Sequence, residues 1–164
     1  PEIINVIVEI PKGSMNKYEY DKKHNMIKLD RVLFSPFHYP GDYGLIPQTL
    51  SEDGDPLDAL VLVTNSTYPG ILIESRPIGL LQMKDDGEPD DKIICVSIND
   101  PRYLHTSDID NLEDHYRSEI AHFFQVYKEL EGKKVEILGW ESSKNAKTVI
   151  MESIKRYKDT LKKY

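Results

Sequence analysis

Short apolar runs separated by turn residues fill the first two thirds of the chain. The runs are rich in Val, Ile and Leu, and β-branched residues favour strands. They occupy residues 4–10, 26–34, 57–63, 71–83 and 92–98. Pro-Gly and Asp-Gly pairs, which are typical of tight turns, stand between several of them. Many short strands at this spacing predict a β-barrel or a β-sandwich.

The hydrophobic period changes after residue 110 and becomes that of a helix. Apolar side chains then recur every three or four positions, so that they form one helical face. This face contains Leu112, Tyr116, Ile120, Phe123, Phe124, Tyr127 and Leu130. Asp110 or Asn111 is available as the N-cap, and Gly132 is placed to end the helix.

A short strand and a second helix complete the chain. Residues 133–140 read KKVEILGW, and Ser142 or Ser143 is available to cap the helix that follows. The apolar face of that helix contains Ala146, Val149, Ile150, Ile154, Tyr157 and Leu161. Since no linker or repeat interrupts residues 1–164, we expect a single domain. The predicted fold is mainly β, in the α+β class, with a barrel and two long helices in the C-terminal third that pack on it.

Charge and composition narrow the possible functions. The chain has 164 residues, of which 30% are charged and 39% hydrophobic, as in globular rather than disordered proteins. A net charge of −7 argues against binding to nucleic acid or to an anionic membrane. No apolar run approaches the ~20 residues that span a bilayer, and the first residues do not resemble a signal peptide. A single cysteine, Cys95, fits a reducing compartment, so we expect a cytoplasmic protein.

Two acidic clusters lie beside predicted strands. EDGDPLDALV (52–61) holds three aspartates, and KDDGEPDDK (84–92) holds five acidic residues. Either cluster alone has a simple explanation as a solvated turn. If both lie on one rim of a barrel, they supply more carboxylates than one cation requires. The pattern therefore predicts a site for two hard divalent cations, drawn from Asp53, Asp55, Asp58, Asp85, Asp86, Glu88, Asp90 and Asp91.

A second set of residues has the chemistry that binds phosphate. Lysine and arginine neutralise phosphate oxygens, and tyrosine donates a hydrogen bond without adding charge. Each member also has an ordinary structural explanation; Arg31, for example, can pair with Asp30 or Asp42. Together with the acidic clusters, the set predicts metal-assisted transfer of a phosphoryl group to water. Its members are Lys17, Arg31, Tyr43, Tyr127 and Lys128.

Five sequence blocks, in order, are similar to the soluble family I inorganic pyrophosphatases. The blocks are EIPKGSMNKYEYD, DRVLFSPFHYPGDYG, DGDPLDALVL, DDGEPDDK and AHFFQVYKELEGK. The match extends roughly over residues 6–160, and the D-G-D-P-x-D segment is the signature of that family. The chain length resembles that of the short, bacterial-type members.

This resemblance implies a fold and a reaction. Such enzymes hydrolyse pyrophosphate to two orthophosphates with several Mg²⁺ ions, through attack by a metal-bridged water or hydroxide. Their fold is a distorted five-stranded antiparallel β-barrel related to the OB-fold, and the short type assembles as a homo-hexamer. We therefore expect an OB-like barrel, Mg²⁺ as cofactor, pyrophosphate as substrate and a hexamer.

The resemblance also implies a role for each matching residue. The metal ligands would be Asp53, Asp58, Asp85 and Asp90. The catalytic proton acceptor would be Asp55. The phosphates would be held by Lys17, Arg31, Tyr43, Tyr127 and Lys128. Supporting roles would fall to Glu9, Glu19, Tyr39, Asp86 and Lys92.

Two other functions remain open on the sequence. Other two-metal phosphohydrolases act on nucleotides or phosphodiesters, although this chain has no evident element for recognising a base. An OB-like barrel can also be a non-catalytic nucleic-acid-binding module, against which the net charge of −7 argues. A module that bound only divalent ions would have no use for the phosphate-binding set.

Overall fold

Nine strands and two α-helices form the secondary structure of the computed structural model, which describes residues 1–162. The strands are Ile4–Ile10 (β1), Asn16–Asp21 (β2), Met26–Val32 (β3), Asp42–Ile46 (β4), Leu57–Leu62 (β5), Leu72–Asp85 (β6), Glu88–Pro89 (β7), Lys92–Ser97 (β8) and Val135–Ser142 (β9). The helices are Asp114–Val126 (α1) and Ser143–Leu161 (α2). The predicted mainly β chain with two helices in its C-terminal third is confirmed.

Five of the strands pair in a ring. β1 pairs with β4, β4 with β5, β5 with β8 and β8 with β6, and β6 pairs again with β1. β1 divides its length, since residues 4–7 face β6 and residues 7–10 face β4. The ring is therefore not closed as a regular barrel, which is how the structure departs from the expected distorted barrel.

One pairing in the ring is parallel. β5 and β8 run in the same direction, whereas the other four ring pairings are antiparallel. The expectation of a wholly antiparallel barrel is therefore wrong at this position. The reason lies in the connection, because the long strand β6 runs between β5 and β8 in sequence and opposite to β8.

A separate hairpin and an added strand lie outside the ring. β2 and β3 form their own two-stranded sheet, in which Lys17 is paired with Arg31. Side chains of directly paired residues project from the same face, so these two cations lie side by side. β9 pairs with the second half of β6.

Alternate side chains of β5 enter two apolar clusters. Leu60 packs in the cluster that contains Phe124 of α1. Val61 packs in the cluster that contains Ile150 of α2. Both helices therefore pack on the β-structure, as predicted. Asp58 lies on the same face of β5 as Leu60, because side chains two residues apart share a face, and this places it beside the α1 cluster.

The helix termini differ partly from the prediction. α1 begins after Glu113, since the two expected caps instead belong to a 3-10 helix, Ile109–Asn111, that Asp108 caps. Of the two candidates for α2, Ser142 is the N-cap, and its Oγ accepts the N–H of Asn145 at 3.4 Å. No helix found in residues 1–162 is both long and apolar enough for a membrane span.

Candidate active site

A cleft of about 530 Å³ brings most of the predicted site residues together. Thirteen of the fifteen residues line it: Glu9, Lys17, Glu19, Tyr43, Asp53, Asp55, Asp58, Asp85, Asp86, Asp90, Lys92, Tyr127 and Lys128. Arg31 and Tyr39 are not on its walls. The acidic residues come mainly from the loop before β5 and from the β6–β8 connection, and the cations and tyrosines come from β2, β4, β8 and the segment after α1.

The three aspartates near the start of β5 have different surroundings. Asp53 and Asp55 are exposed on a turn, and the N–H of Asp55 donates to Oδ1 of Asp53 at 3.0 Å. Gly54 between them has φ +90°, a conformation that glycine adopts without strain. Asp58 is half-buried and is the partner of Leu45 in the β4–β5 ladder. The sheet therefore fixes Asp58, whereas the other two depend on the turn.

Lys92 places a buried positive charge between two of the predicted metal ligands. Its Nζ donates to Oδ2 of Asp58 and to Oδ1 of Asp90, both at 2.7 Å, and its side chain is only 2% exposed. Burial alone would lower the pKa of Lys92, but Asp58 and Asp90 raise it above the usual value. The two carboxylates thus already converge on one cation.

Asp85 and Lys128 form a second ion pair in the cleft. Only one oxygen of Asp85 takes part, and the other, Oδ1, is buried without a hydrogen-bond partner among residues 1–162. Burial would lower the pKa of Lys128, but Tyr127 and Asp85 raise it. An unpaired buried carboxylate oxygen is costly unless a donor or a cation completes it.

Glu9 is a buried carboxyl group at the end of β1. Burial raises the pKa of Glu9 to about 7, although the N–H of Tyr20, which donates to its Oε1 at 2.9 Å, acts in the opposite direction. Its neighbour Asp58 raises the pKa further. A nearby cation would favour the carboxylate form of Glu9, as the positive charge of Lys17 already does in part.

Three tyrosines form one aromatic cluster behind and along the cleft. The ring of Tyr39 lies 5.5 Å from that of Tyr43 and 6.4 Å from that of Tyr127. Burial raises the pKa of all three hydroxyls, so that they stay protonated and can donate hydrogen bonds. Tyr43 and Tyr127 line the cleft, whereas Tyr39 is buried behind them. Tyr127 is therefore both a core residue and a cleft residue.

Arg31 lies beside the cleft rather than on its wall. Its Nε is 2.8 Å from Oε1 of Glu131, and a terminal nitrogen pairs with Asp30. Asp30 also lies 3.6 Å from Nζ of Lys17, which is 3.5 Å from Glu19. Pairing with Asp30 was the ordinary structural explanation for Arg31, and it is confirmed. No sequence pattern indicated the pairing with Glu131.

Comparison with known proteins identifies the family. The model of the family described as inorganic pyrophosphatase matches residues 6–158. The chain belongs to the inorganic pyrophosphatase family. It is 51% identical to the inorganic pyrophosphatase of Synechocystis sp., over 95% of this chain and 92% of that protein. Identity to the Geobacillus stearothermophilus inorganic pyrophosphatase is 50%, over 96% of each chain.

A solved structure of an inorganic pyrophosphatase has the same fold. The crystal structure of the Thermus thermophilus protein matches with a TM-score of 0.94 and 48% identity, over 96% of this chain and 92% of that one. The family predicted from the five ordered blocks is therefore confirmed. The roles assigned to single residues remain predictions.

Further residues of the pyrophosphatase cleft had no assigned role in the sequence analysis. They are Tyr18, Tyr20, Lys22 and Lys133. Lys133 follows Gly132, and its N–H donates to the carbonyl of Lys128 at 3.3 Å, so that the chain turns back towards the cleft. Gly132, which ends the helical turn after the predicted site residue Lys128, was a usable signal for Lys133. Lys22 has no such signal, because lysines in hairpin turns are ordinarily solvated.

The carboxylates fit a hard divalent cation in their chemistry, although they are not assembled into a finished metal site. Within residues 1–162, no group of three or more His, Cys, Asp or Glu side chains has a metal-binding arrangement. Lys92 and Lys128 instead neutralise Asp58, Asp90 and Asp85. The converging oxygens of Asp58 and Asp90 and the unpaired oxygen of Asp85 are the hard donors that Mg²⁺ prefers.

Proposed function

We propose that this protein is an inorganic diphosphatase that hydrolyses pyrophosphate to two orthophosphates with Mg²⁺. One observation carries the proposal: a single cleft is lined by aspartates together with lysines and tyrosines. Pyrophosphate is strongly anionic, so its hydrolysis needs both fixed cations and bound metal ions to neutralise charge in the transition state. Membership of the inorganic pyrophosphatase family supports the same reaction.

The acidic residues of the cleft are proposed to hold several Mg²⁺ ions. Their ligands would be Asp53, Asp58, Asp85 and Asp90, with Glu9, Glu19 and Asp86 in support. When bound, the ions would lower the pKa of a water molecule and neutralise phosphate oxygens. Asp58 and Asp85 are the two proposed ligands that belong to strands, β5 and β6, whereas Asp53 and Asp90 lie in connections.

Asp55 is proposed to be the general base. It is an exposed carboxylate two residues from Asp53, and among the residues described it makes no ion pair with a lysine or arginine. A base of this kind must accept a proton from the attacking water without being neutralised beforehand. The turn at Gly54 keeps it next to the proposed metal ligands.

The cationic and tyrosine side chains of the site are proposed to bind the two phosphates. Lys17, Arg31 and Lys128 would neutralise phosphate oxygens, and Arg31 can do so through two parallel hydrogen bonds. Tyr43 and Tyr127 would donate hydrogen bonds, because their raised pKa keeps the hydroxyls protonated. The remaining two predicted residues would act in support. Lys92 lies between the carboxylates of Asp58 and Asp90, and Tyr39 packs against the other tyrosines.

An assay of phosphate release tests this function against the other phosphohydrolase reactions. Pyrophosphate, ATP and nitrophenyl phosphate are compared with Mg²⁺, with EDTA and with fluoride. We expect rapid release from pyrophosphate alone and its loss in EDTA. Preferred turnover of ATP or of the ester would contradict the proposal. Binding of single-stranded RNA at physiological salt without turnover would instead favour the non-catalytic module.

Assembly and location are part of the same proposal. We expect a cytoplasmic homo-hexamer that does not bind nucleic acid or membranes. Exposed apolar side chains on and after β3 (Met26, Leu29, Val32 and Phe34) provide a surface that contact between subunits would cover. Light scattering should give a mass near six times 18.9 kDa, and a monomer mass would contradict the hexamer.

A further inference from the structure

A largely buried ion pair beside the cleft joins β3 to the segment that follows α1. Nε of Arg31, on β3, lies 2.8 Å from Oε1 of Glu131, which belongs to the 3-10 helix Glu129–Glu131 after α1. The two side chains are 25% and 10% exposed. The second oxygen of Glu131, Oε2, is buried and has no hydrogen-bond partner in the described part of the chain.

Both partners lie next to residues of the cleft. Arg31 is paired across the hairpin with Lys17, and Glu131 stands between Lys128 and Lys133 in sequence. Lys17, Lys128 and Lys133 all line the cleft. The guanidinium therefore lies near the cleft lysines that come from β2 and from the segment after α1. Its Nε is buried and makes no hydrogen bond within residues 1–162, so a phosphate in the cleft would meet the terminal nitrogens, one of which pairs with Asp30.

We propose that Glu131 is a positioning residue that fixes Arg31 for the diphosphate substrate; this rests on the function proposed above. A free arginine side chain loses much rotamer entropy when a ligand immobilises it, and a side chain that is already held loses less. Glu131 keeps its contact with Nε while the terminal nitrogens bind phosphate. If Arg31 left, the carboxylate would remain buried without a cation, which is strongly unfavourable.

Binding of methylenediphosphonate, a diphosphate that is not hydrolysed, tests the proposal by calorimetry at fixed Mg²⁺. Glu131→Gln should weaken binding about tenfold, the order of effect expected when a close, largely buried ion pair to a substrate-binding arginine is lost. The matched control is Glu129→Gln, an exposed glutamate of the same 3-10 helix, which should change binding by less than about twofold. Glu131→Asp keeps the charge with a shorter reach and should fall between the two.

A double variant separates positioning from general damage. Arg31→Ala should weaken binding more than Glu131→Gln does, and Arg31→Ala combined with Glu131→Gln should bind no worse than Arg31→Ala alone. In turnover of pyrophosphate, Glu131→Gln should raise KM with little change in kcat, which a merely structural role would not produce. Equal binding by Glu131→Gln and Glu129→Gln, or additive losses in the double variant, would overturn the proposal.

The two proposals can fail separately. Absence of pyrophosphate hydrolysis by the unaltered protein would remove the proposed function. The calorimetric comparison does not depend on turnover, so it still decides whether Glu131 acts through Arg31. Thermal unfolding of each variant shows whether a change in binding follows from loss of the fold.

Discussion

Asp53, Asp55 and Asp58 lie within six positions, yet the structure gives them different environments. The first two share a turn, joined by the Asp55 N–H that donates to Asp53. The third is held in a strand and contacts Lys92. Chemical identity and sequence proximity therefore do not make the three carboxylates equivalent, and substitution of each should give a distinct result.

Asp55→Asn should lower kcat by about 10²–10⁴-fold and leave Mg²⁺ affinity unchanged, because it removes a base and not a metal ligand. Asp58→Asn is the comparison variant and should weaken Mg²⁺ binding and lower the rate together. Steady-state kinetics combined with Mg²⁺ titration distinguishes the two. Full activity of Asp55→Asn at neutral pH would show that its assigned role is wrong.

Glu9→Gln should stabilise the metal-free protein at alkaline pH. The pKa of Glu9 is raised from 4.5 to about 7 in the folded state, so between these values the folded protein binds more protons than the unfolded chain. The contribution of Glu9 to stability therefore falls as pH rises through this range, by about 3 kcal/mol in all. Denaturant unfolding in EDTA at pH 4 and pH 8 measures the difference.

We expect Glu9→Gln and the unaltered protein to be similar at pH 4 and to differ at pH 8, with the variant more stable. Glu19→Gln, whose side chain is 47% exposed, is the control for removing a carboxylate of the same cleft and is measured under the same conditions. Equal stability of Glu9→Gln and the unaltered protein at pH 8 would contradict the raised pKa.

Motif spacing identified most residues of the cleft but not how they contact one another. Carboxylates near strand ends, and lysines and tyrosines in ordered blocks, were readable because each residue type has a specific chemistry. The position of Arg31 was not readable, because its close partner Glu131 lies far along the chain. Lys133 had a weaker signal in Gly132, whose αL conformation ends the preceding helical turn.

At the level of elements, α2 holds the acidic loop that precedes β5. Nε of Arg156 donates to the carbonyl of Leu50 at 2.9 Å, and the N–H of Leu50 donates to the carbonyl of Ser153 at 3.1 Å. Asp53 and Asp55 follow within five residues. A helix on the far side of the sheet therefore influences the position of two proposed functional groups.

Arg156→Ala should lower the free energy of unfolding by about 1–2 kcal/mol and weaken Mg²⁺ binding, because the loop loses its anchor. Lys155→Ala, an exposed cation on the same helix, should change neither. Urea unfolding and Mg²⁺ titration measure the two effects. Unchanged Mg²⁺ affinity in Arg156→Ala would show that the anchor serves the fold alone.

Strand existence was easier to predict than strand pairing. The run at residues 4–10 corresponds to β1 as observed, and the runs for β5 and β8 are one residue too long. β4 was not predicted; only the Pro40-Gly41 turn that immediately precedes it was recognised. Its pairing with β1 requires Gly44, where a Cβ would lie 2.0 Å from the carbonyl oxygen of Ile7. Alternation along one strand contains no information about its partner, so the parallel β5–β8 pair was not predictable.

For the whole molecule, β5 connects the two apolar clusters, since its alternate side chains belong to both. We therefore expect residues 1–164 to unfold as one domain. Circular dichroism and Trp140 fluorescence should give coincident transitions in urea at a protein concentration that keeps the assembly state constant. Two separated transitions would show that the clusters are independent domains.

Lys92 and Lys128 also have a consequence for the metal-free protein. The acidic cleft contains two ammonium counterions, so the repulsion among Asp58, Asp85 and Asp90 is already reduced when the chain folds. The protein can thus fold before it binds metal ions. When divalent ions are scarce, we expect folded but inactive protein that becomes active once ions are available again.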